Sequence, residues 1–312
     1  QIIKDMKILV ATQKPFAAAA VNGIKAIGEK AGHTVAFLEK YEGTAELVAA
    51  VADADALIVR SDKVTAEVVA AAKNLKIVVR AGAGFDNLDL EALSAAKVVA
   101  MNTPGQNSNA VAELALGLMV FMNRNQFTPG TGLELKGKTI GIQAYGNVGR
   151  LVGKLAMGFG MNVLAFDPYL KDEQIEATGA KVAASLEDLY SKSDFISLHI
   201  PATAETKGSI GYNLVSKMPK KGCLINTARK EVINEEELIK VLEERDDLRY
   251  VTDIAPDRNA EFAEKFGKRF FSTPKKMGAE TAEANVNAGL AAANQICDFF
   301  ATGNTRFQLN KF

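Results

Sequence analysis

The sequence is poor in several things whose presence would decide its class. It has two cysteines in 312 residues, Cys223 and Cys297, far apart and each among apolar neighbours. That excludes a disulfide framework and a cysteine zinc site, and it reads as two packing thiols in a reducing compartment; no metal is expected. There is no excess of charge, with lysine plus arginine equal to aspartate plus glutamate at 37 each. Nothing in the overall balance therefore asks for nucleic acid or an anionic membrane as partner, although a small anionic ligand needs only a local cluster of cations. No apolar run reaches the roughly 18 residues that span a bilayer, and the opening stretch Gln1 to Lys7 is polar and short of an apolar core. A cytoplasmic protein is expected. No short-period repeat or low-complexity tract is present, which removes solenoids and linkers of biased composition.

What is present is a chain with 48% hydrophobic residues, long enough for two cores. From Lys7 onward, short apolar or β-branched runs alternate with alanine-rich amphipathic stretches. Ile8 to Ala11, Thr34 to Leu38, Ala56 to Val59, Ile77 to Arg80 and Val98 to Met101 read as buried strands. Ser108 to Asn125 reads as one long helix after the Pro104-Gly105 break, with Asn107 or Ser108 as cap. After a turn-rich stretch the rhythm restarts, with strands at Thr139 to Gln143, Asn162 to Phe166, Phe195 to His199, Cys223 to Asn226 and Tyr250 to Asp253. Strands joined by helical crossovers make parallel sheets covered on both faces. The expectation is an α/β protein with two doubly wound parallel sheets. A final helix, roughly Glu280 to Ala301, has no strand after it and is expected to return onto the first unit.

The segment Thr139 to Gly149 reads strand, tight turn, helix start. Gly141, Gly146 and Gly149 are assigned to the turn, and Asp167 closes the next strand. That order is a dinucleotide fingerprint. Gly146 lets backbone approach a pyrophosphate, Gly149 lets the helix pack close to the strand, and the helix N-terminus offers amide donors. Asp167 would accept from the ribose hydroxyls and repel a 2′-phosphate, which favours NAD over NADP. The usual first glycine is Ala144 here, which demands a backbone conformation that alanine can adopt.

A second feature is Ile225-Asn226-Thr227-Ala228-Arg229, an arginine at the end of an apolar strand. A guanidinium there can hold a carboxylate in a two-bond fork and polarise a neighbouring carbonyl. The alternative is a salt bridge at a helix start. His33, before a strand of the first unit, reads as a surface residue.

The segments NTARKEVINEEEL from Asn226 and SLHIPATAETKG from Ser197 resemble the signature blocks of the D-2-hydroxyacid dehydrogenase family. VRSDKVTAEVV from Val59, RAGAGFDNLDLEAL from Arg80 and MNTPGQNSNAVAELALGLM from Met101 resemble its phosphoglycerate dehydrogenase branch. The resemblance implies two Rossmann-like domains with a cleft between them. Residues 1–104 and 280–312 would bind substrate and 105–279 would bind NAD, with hinges near Pro104 and Ala279. It implies that Arg229 binds the substrate carboxylate and keto oxygen. Ala144, Tyr145, Gly146, Asn147, Val148, Gly149 and Asp167 would hold the dinucleotide, while His199, Pro201, Thr206, Thr227, Ala228, Asp253, Gly278 and Ala279 line its path. His199 is expected to give a supporting contact rather than catalysis. Arg60, Ser61, Arg80, Ala83, Gly84 and Asn107 match substrate-side positions, and Arg60 with Arg80 would supply the charge that a phosphorylated substrate needs. The implied reaction interconverts 3-phosphoglycerate and 3-phosphohydroxypyruvate, the first step of phosphorylated serine biosynthesis. The alternatives are a glyoxylate or hydroxypyruvate reductase, and a non-catalytic NAD-sensing protein on the same fold. The family also implies a homodimer through the cofactor domain, with the helix after Ser108 as contact. No regulatory domain, and hence no amino-acid feedback through one, is expected.

The chain departs from the family at the proton donor, which is a histidine oriented by a glutamate. The corresponding positions read Thr273-Pro274-Lys275-Lys276-Met277-Gly278-Ala279 and, for the glutamate, Arg258. Counting from Pro274 makes the donor Lys275, whereas counting back from Gly278 makes it Lys276, which is preferred because Gly278-Ala279 anchors the cofactor-side turn. A lysine, with an ordinary pKa of about 10.4, carries its proton without a carboxylate, so loss of the glutamate is coherent with the swap. Arg258 and Arg229 are both expected to lower the pKa of that lysine.

Overall fold

The computed structural model describes residues 5–312, so residues 1–4 of the polar opening stretch lie outside the described residues. The chain divides into two compact units: the residues up to Asn107 together with Glu280–Phe312, and Ser108–Ala279.

The first unit runs β1 (Lys7–Thr12), α1 (Ala18–Lys30), β2 (Thr34–Glu39), α2 (Thr44–Val51), β3 (Ala56–Val59), α3 (Ala66–Ala71), β4 (Ile77–Arg80), α4 (Leu90–Ala95) and β5 (Val99–Asn102). Its five strands pair in parallel in the order β2-β1-β3-β4-β5. Alternate residues of β1 feed opposite cores. Ile8 and Val10 pack with Ile24 of α1 and with Ala292 and Ile296 of the final helix, whereas Leu9 and Ala11 pack with Leu47, Val68 and Leu93 of α2, α3 and α4. Each of the isoleucine, leucine and valine side chains withdrawn from water contributes about 1.5–3 kcal/mol. The expected return of the last helix is therefore seen within this unit: residues 282–302 present a buried face of Ala288, Ala292, Ala293, Ile296 and Phe300 to the sheet and α1. The tail beyond it covers the edge of β5, since the Asn310 side chain accepts from the Ala100 amide at 2.9 Å and donates to the Val98 carbonyl at 2.9 Å.

His33 is a correction to the sequence reading. It is only 5% exposed, its Nδ1 accepts from the Met6 amide at 3.3 Å, and its ring meets Phe300 edge-on at 5.2 Å. Burial lowers its pKa. The helix that covers it comes from the far end of the chain, so no local pattern around residue 33 signals the burial.

The second unit opens with α5 (Ser108–Asn123) and continues β6 (Thr139–Gln143), α6 (Asn147–Gly158), β7 (Asn162–Phe166), α7 (Asp172–Glu176), β8 (Lys181–Val182), α8 (Leu186–Lys192), β9 (Phe195–Leu198), α9 (Tyr212–Val215), β10 (Cys223–Asn226), α10 (Glu235–Glu244), β11 (Arg249–Thr252), α11 (Asn259–Phe266) and β12 (Phe270–Ser272). The returning helix of the first unit is α12 (Ala282–Thr302). The seven strands are parallel in the order β12-β11-β10-β9-β6-β7-β8, which reverses between β6 and β9. That reversal makes the crevice in which dinucleotide-binding sheets receive their ligand. α5 and α6 cover one face through Ala112, Met119, Val152 and Ala156; α8, α10 and α11 cover the other through Leu189, Leu238 and Phe262. The sequence reading misses β8 and β12, two outermost strands of two and three residues, too short for any periodicity to register.

Candidate active site

The carboxyl end of the second sheet is built loop by loop. Three residues lead from β6 into α6. Ala144 takes φ +73°, the left-handed conformation usual for glycine, at a cost of about 1–2 kcal/mol for a residue with a Cβ. It is held there because its amide donates to the Phe166 carbonyl at 2.9 Å and the next amide, of Tyr145, donates to Asp167 Oδ2 at 2.8 Å. Tyr145 is fully buried beneath α6, with its hydroxyl 2.8 Å from Thr178 Oγ1. Gly149 leaves no room for a Cβ, which would press into the Ala144 carbonyl, so helix and strand do approach as expected. Gly141 is a correction: it lies inside β6 and not in the turn, close to Ser193 and Ile196 under α8. At Gly146 the φ is an ordinary −83°, and a Cβ built there meets nothing within 4 Å. Its service is open space at the start of α6, where Asn147, Val148 and Gly149 have no side-chain cap on their amides.

Asp167, half-buried at the end of β7, accepts from the amides of Tyr145 and Tyr169. Past β9, His199 sits with Nε2 at 2.8 Å from Ser197 Oγ, and burial pushes its pKa down to about 4, so the ring is neutral near pH 7. Thr206 Oγ1 donates to the Pro201 carbonyl at 2.6 Å and closes the loop between them. Past β10, the buried Asn226 organises Thr227-Ala228-Arg229: its Nδ2 donates to the Arg229 carbonyl at 3.0 Å and its Oδ1 accepts from the Ala228 amide at 3.0 Å. Asn226 is absent from the sequence-derived site, although an asparagine at a strand end followed by a tight turn is the signal that could have found it.

Lys276, not Lys275, is brought to this loop. Its Nζ donates to the carbonyls of Ala228 at 3.0 Å and Thr227 at 3.3 Å, and lies 4.0 Å from Asp253 Oδ1. Lys275 uses its backbone carbonyl to accept from Thr273 Oγ1 at 2.7 Å. The choice is made by Asp253, fully buried at the end of β11, whose Oδ2 accepts from the amides of Met277 at 3.3 Å and Gly278 at 2.8 Å and so sets the register of the loop. Partial burial lowers the Lys276 pKa; Asp253 opposes this, Arg229 adds to it, and Glu231 opposes it. Two expectations are corrected here. Arg258 takes no part in lowering that pKa, since its guanidinium is turned to Glu261 at 3.9 Å. Nor is the lysine free of a carboxylate, because Asp253 stands beside it.

Two buried atoms in this group have no hydrogen-bond partner, Thr227 Oγ1 and Asp253 Oδ1. Unpaired buried polar atoms are costly and rare. With the open space at Gly146 and the carboxylate at Asp167, they fit a polar dinucleotide laid along the strand ends.

The remaining candidates lie in the first unit. Arg60 and Arg80 are near enough for Arg60 to lower the Arg80 pKa, after the larger effect of burial. Ser61, Ala83 and Gly84 are exposed, the Ala83 carbonyl accepts from Asn102 Nδ2 at 2.8 Å, and Asn107 is half-buried at the end of the segment.

Residues 118–275 match the family described as D-isomer specific 2-hydroxyacid dehydrogenase, NAD binding domain. The chain belongs to this dehydrogenase family. The matched residues all fall within the second unit. A crystal structure of NAD+-bound 3-phosphoglycerate dehydrogenase from Entamoeba histolytica superposes with a TM-score of 0.82 at 51% identity, covering 99% of each chain. Among curated relatives, D-3-phosphoglycerate dehydrogenase of Methanocaldococcus jannaschii is 36% identical over 273 residues, 80% of this chain and 51% of that protein. Hydroxypyruvate reductase of Thermotoga maritima is 39% identical over 207 residues, 62% of this chain and 66% of that protein. The chain thus spans about half the length of the first of these curated relatives. Among the described residues, no helix is long and apolar enough to cross a membrane.

Proposed function

We propose that the protein is an NAD-dependent dehydrogenase that interconverts 3-phosphoglycerate and 3-phosphohydroxypyruvate. The observation that carries the reading is the position of the Lys276 amine, on the two carbonyls that lead into Arg229 and beside the unpartnered oxygen of Asp253. Bound NAD supplies or accepts the hydride at substrate C2. Arg229 binds the carboxylate in a two-bond fork and polarises the keto oxygen. In reduction the Lys276 ammonium gives its proton to that oxygen; in oxidation the free amine takes the proton from the hydroxyl. Asp253 and the carbonyls of Thr227 and Ala228 hold the ammonium in place, and the partly exposed amine exchanges its proton with solvent. Asp167 accepts from ribose and disfavours a 2′-phosphate. In the first unit, Arg60 and Arg80 bind the substrate phosphate. A homodimer joined through the second unit along α5 belongs to the same reading, and sedimentation tests it.

The experiment is loss of NADH absorbance on adding 3-phosphohydroxypyruvate, run beside glyoxylate and hydroxypyruvate. The identity to a hydroxypyruvate reductase sustains the second reading, a reductase of unphosphorylated 2-keto acids. Substituting Arg60 and Arg80 separates the two: phosphate binding requires a large loss with the phosphorylated substrate and little with glyoxylate. No turnover of any 2-keto acid, with NADH still bound, leaves a non-catalytic NAD-sensing protein.

A further inference from the structure

The strand order of the first sheet reverses between β1 and β3, so the loops leaving the carboxyl ends of these two strands diverge. Crevices at such points receive ligands. The centre of this one is a buried carboxylate, Asp62, 3% exposed. Its Oδ1 accepts from the Gln13 amide at 2.7 Å and the Tyr41 hydroxyl at 2.6 Å, and its Oδ2 from the Arg60 amide at 3.2 Å. Gln13 follows β1, Tyr41 follows β2 and Arg60 follows β3, so one side chain ties three loops together. Asn87, ahead of α4, closes the group by donating from Nδ2 to the carbonyls of Arg60 at 3.0 Å and Asp62 at 2.7 Å.

These bonds hold Arg60 at both its backbone amide and its carbonyl. Its guanidinium is held too: Nη1 donates to the carbonyls of Lys14 at 2.9 Å and Pro15 at 3.2 Å, and its carbon lies 5.2 Å over the ring of Phe16. The group is thereby confined to one orientation, with Nε and Nη2 left to donate. A buried carboxylate is expensive, and an apolar side chain would fill the same volume with less penalty. Only the carboxylate can accept from all three loops at once, and it also offsets the repulsion between Arg60 and Arg80.

We propose that Asp62, gripped by Tyr41 and Gln13 and assisted by Asn87, is a positioning hub that presets Arg60 for the substrate phosphate. Discrimination between phosphorylated and unphosphorylated 2-keto acids then depends on residues that do not touch substrate. The inference rests on the phosphate-binding role given to Arg60 above, and the test keeps the two apart.

The first measurement compares kcat and KM for 3-phosphohydroxypyruvate and hydroxypyruvate in the unaltered protein and in Arg60→Ala. If no preference for the phosphorylated substrate exists, or if it survives Arg60→Ala, the phosphate reading fails and the hub falls with it. Where the preference exists and Arg60→Ala removes it, Tyr41→Phe is expected to raise KM for 3-phosphohydroxypyruvate about tenfold, as for loss of one hydrogen bond to a charged group. Turnover at saturation, the constants for hydroxypyruvate and NADH affinity should stay within about twofold. Asp62→Asn, whose amide cannot accept from the Arg60 backbone, should raise KM at least as much. Placed on the Arg60→Ala background, Tyr41→Phe should add nothing. An unchanged KM, an equal loss with hydroxypyruvate, or independent addition of the two substitutions overturns the hub while the phosphate reading stands. Tyr41→Phe removes one oxygen and keeps the ring, so it decides the question even if Asp62→Asn fails to fold.

Discussion

The turn after β1 and the turn after β6 occupy the same station in two doubly wound sheets, and they are made for different occupants. After β6, Ala144-Tyr145-Gly146 brings the chain straight into α6, with open space where a Gly146 side chain would be. After β1 the chain reads Gln13-Lys14-Pro15-Phe16-Ala17; Phe16 is 6% exposed beneath the Arg60 guanidinium, and the Gln13 amide is committed to Asp62. One turn is filled by the protein itself and the other leaves room for a ligand. Topology supplies the crevice in both sheets, but the side chains decide whether a dinucleotide can use it.

The contrast is broken most severely at the chemistry of the second sheet. Lys276→Met should lower kcat about a thousandfold with little change in NADH affinity, the usual scale for a proton-transfer group. Its pH dependence carries a sign. Partial burial and Arg229 hold the Lys276 pKa below the ordinary lysine value. In the proposed mechanism oxidation uses the neutral amine, so its rate should climb with pH and level off above that lowered pKa, whereas reduction uses the ammonium and should decline through the same range. A flat oxidation profile between about pH 7 and pH 10 removes Lys276 from the mechanism.

Emptying the filled turn comes next. Phe16→Ala should cost about 3 kcal/mol in denaturant unfolding, the low end for a buried phenylalanine, and should create no second NADH site. A second equivalent of bound NADH would mean that only Phe16 separates the two turns. The converse change, Gly146→Val, adds bulk to the open turn at a point where a Cβ meets no protein atom within 4 Å. NADH affinity should fall about tenfold to a hundredfold with the thermal midpoint unmoved; unaltered affinity places the pyrophosphate elsewhere. The smallest effect belongs to Ala144→Gly, which relieves the left-handed strain. A gain of about 1 kcal/mol, or about 2–4 °C in Tm, is expected in calorimetry, and a loss would show that the turn is not strained.

The strands nearest the candidate site were legible because buried parallel strands are unbroken apolar runs: Thr139–Gln143, Asn162–Phe166 and Cys223–Asn226 fall where the residues alone put them. The helix after Ser108 was equally plain. Less legible was anything resting on a partner distant in sequence. His33 reads as surface until Phe300 closes over it. The Asp62 hub is invisible for the same reason, since Asp62 draws its donors from residues 13, 41 and 60; the Asn226 clamp, whose partners are Ala228 and Arg229, is local and could have been read from the strand end.

Apolar periodicity, glycine spacing and the two signature blocks determined by themselves that this chain forms two parallel-sheet units of the dehydrogenase family and where the turn between β6 and α6 lies. These are properties of contiguous residues, written in order along the chain. What seats Lys276 on the Thr227-Ala228 carbonyls, what carboxylate accompanies it, and how Arg60 is held were decided only by the tertiary structure. Counting back from Gly278 favours Lys276 over Lys275, but the register that seats it is set by two amides that reach Asp253 from the next strand connection.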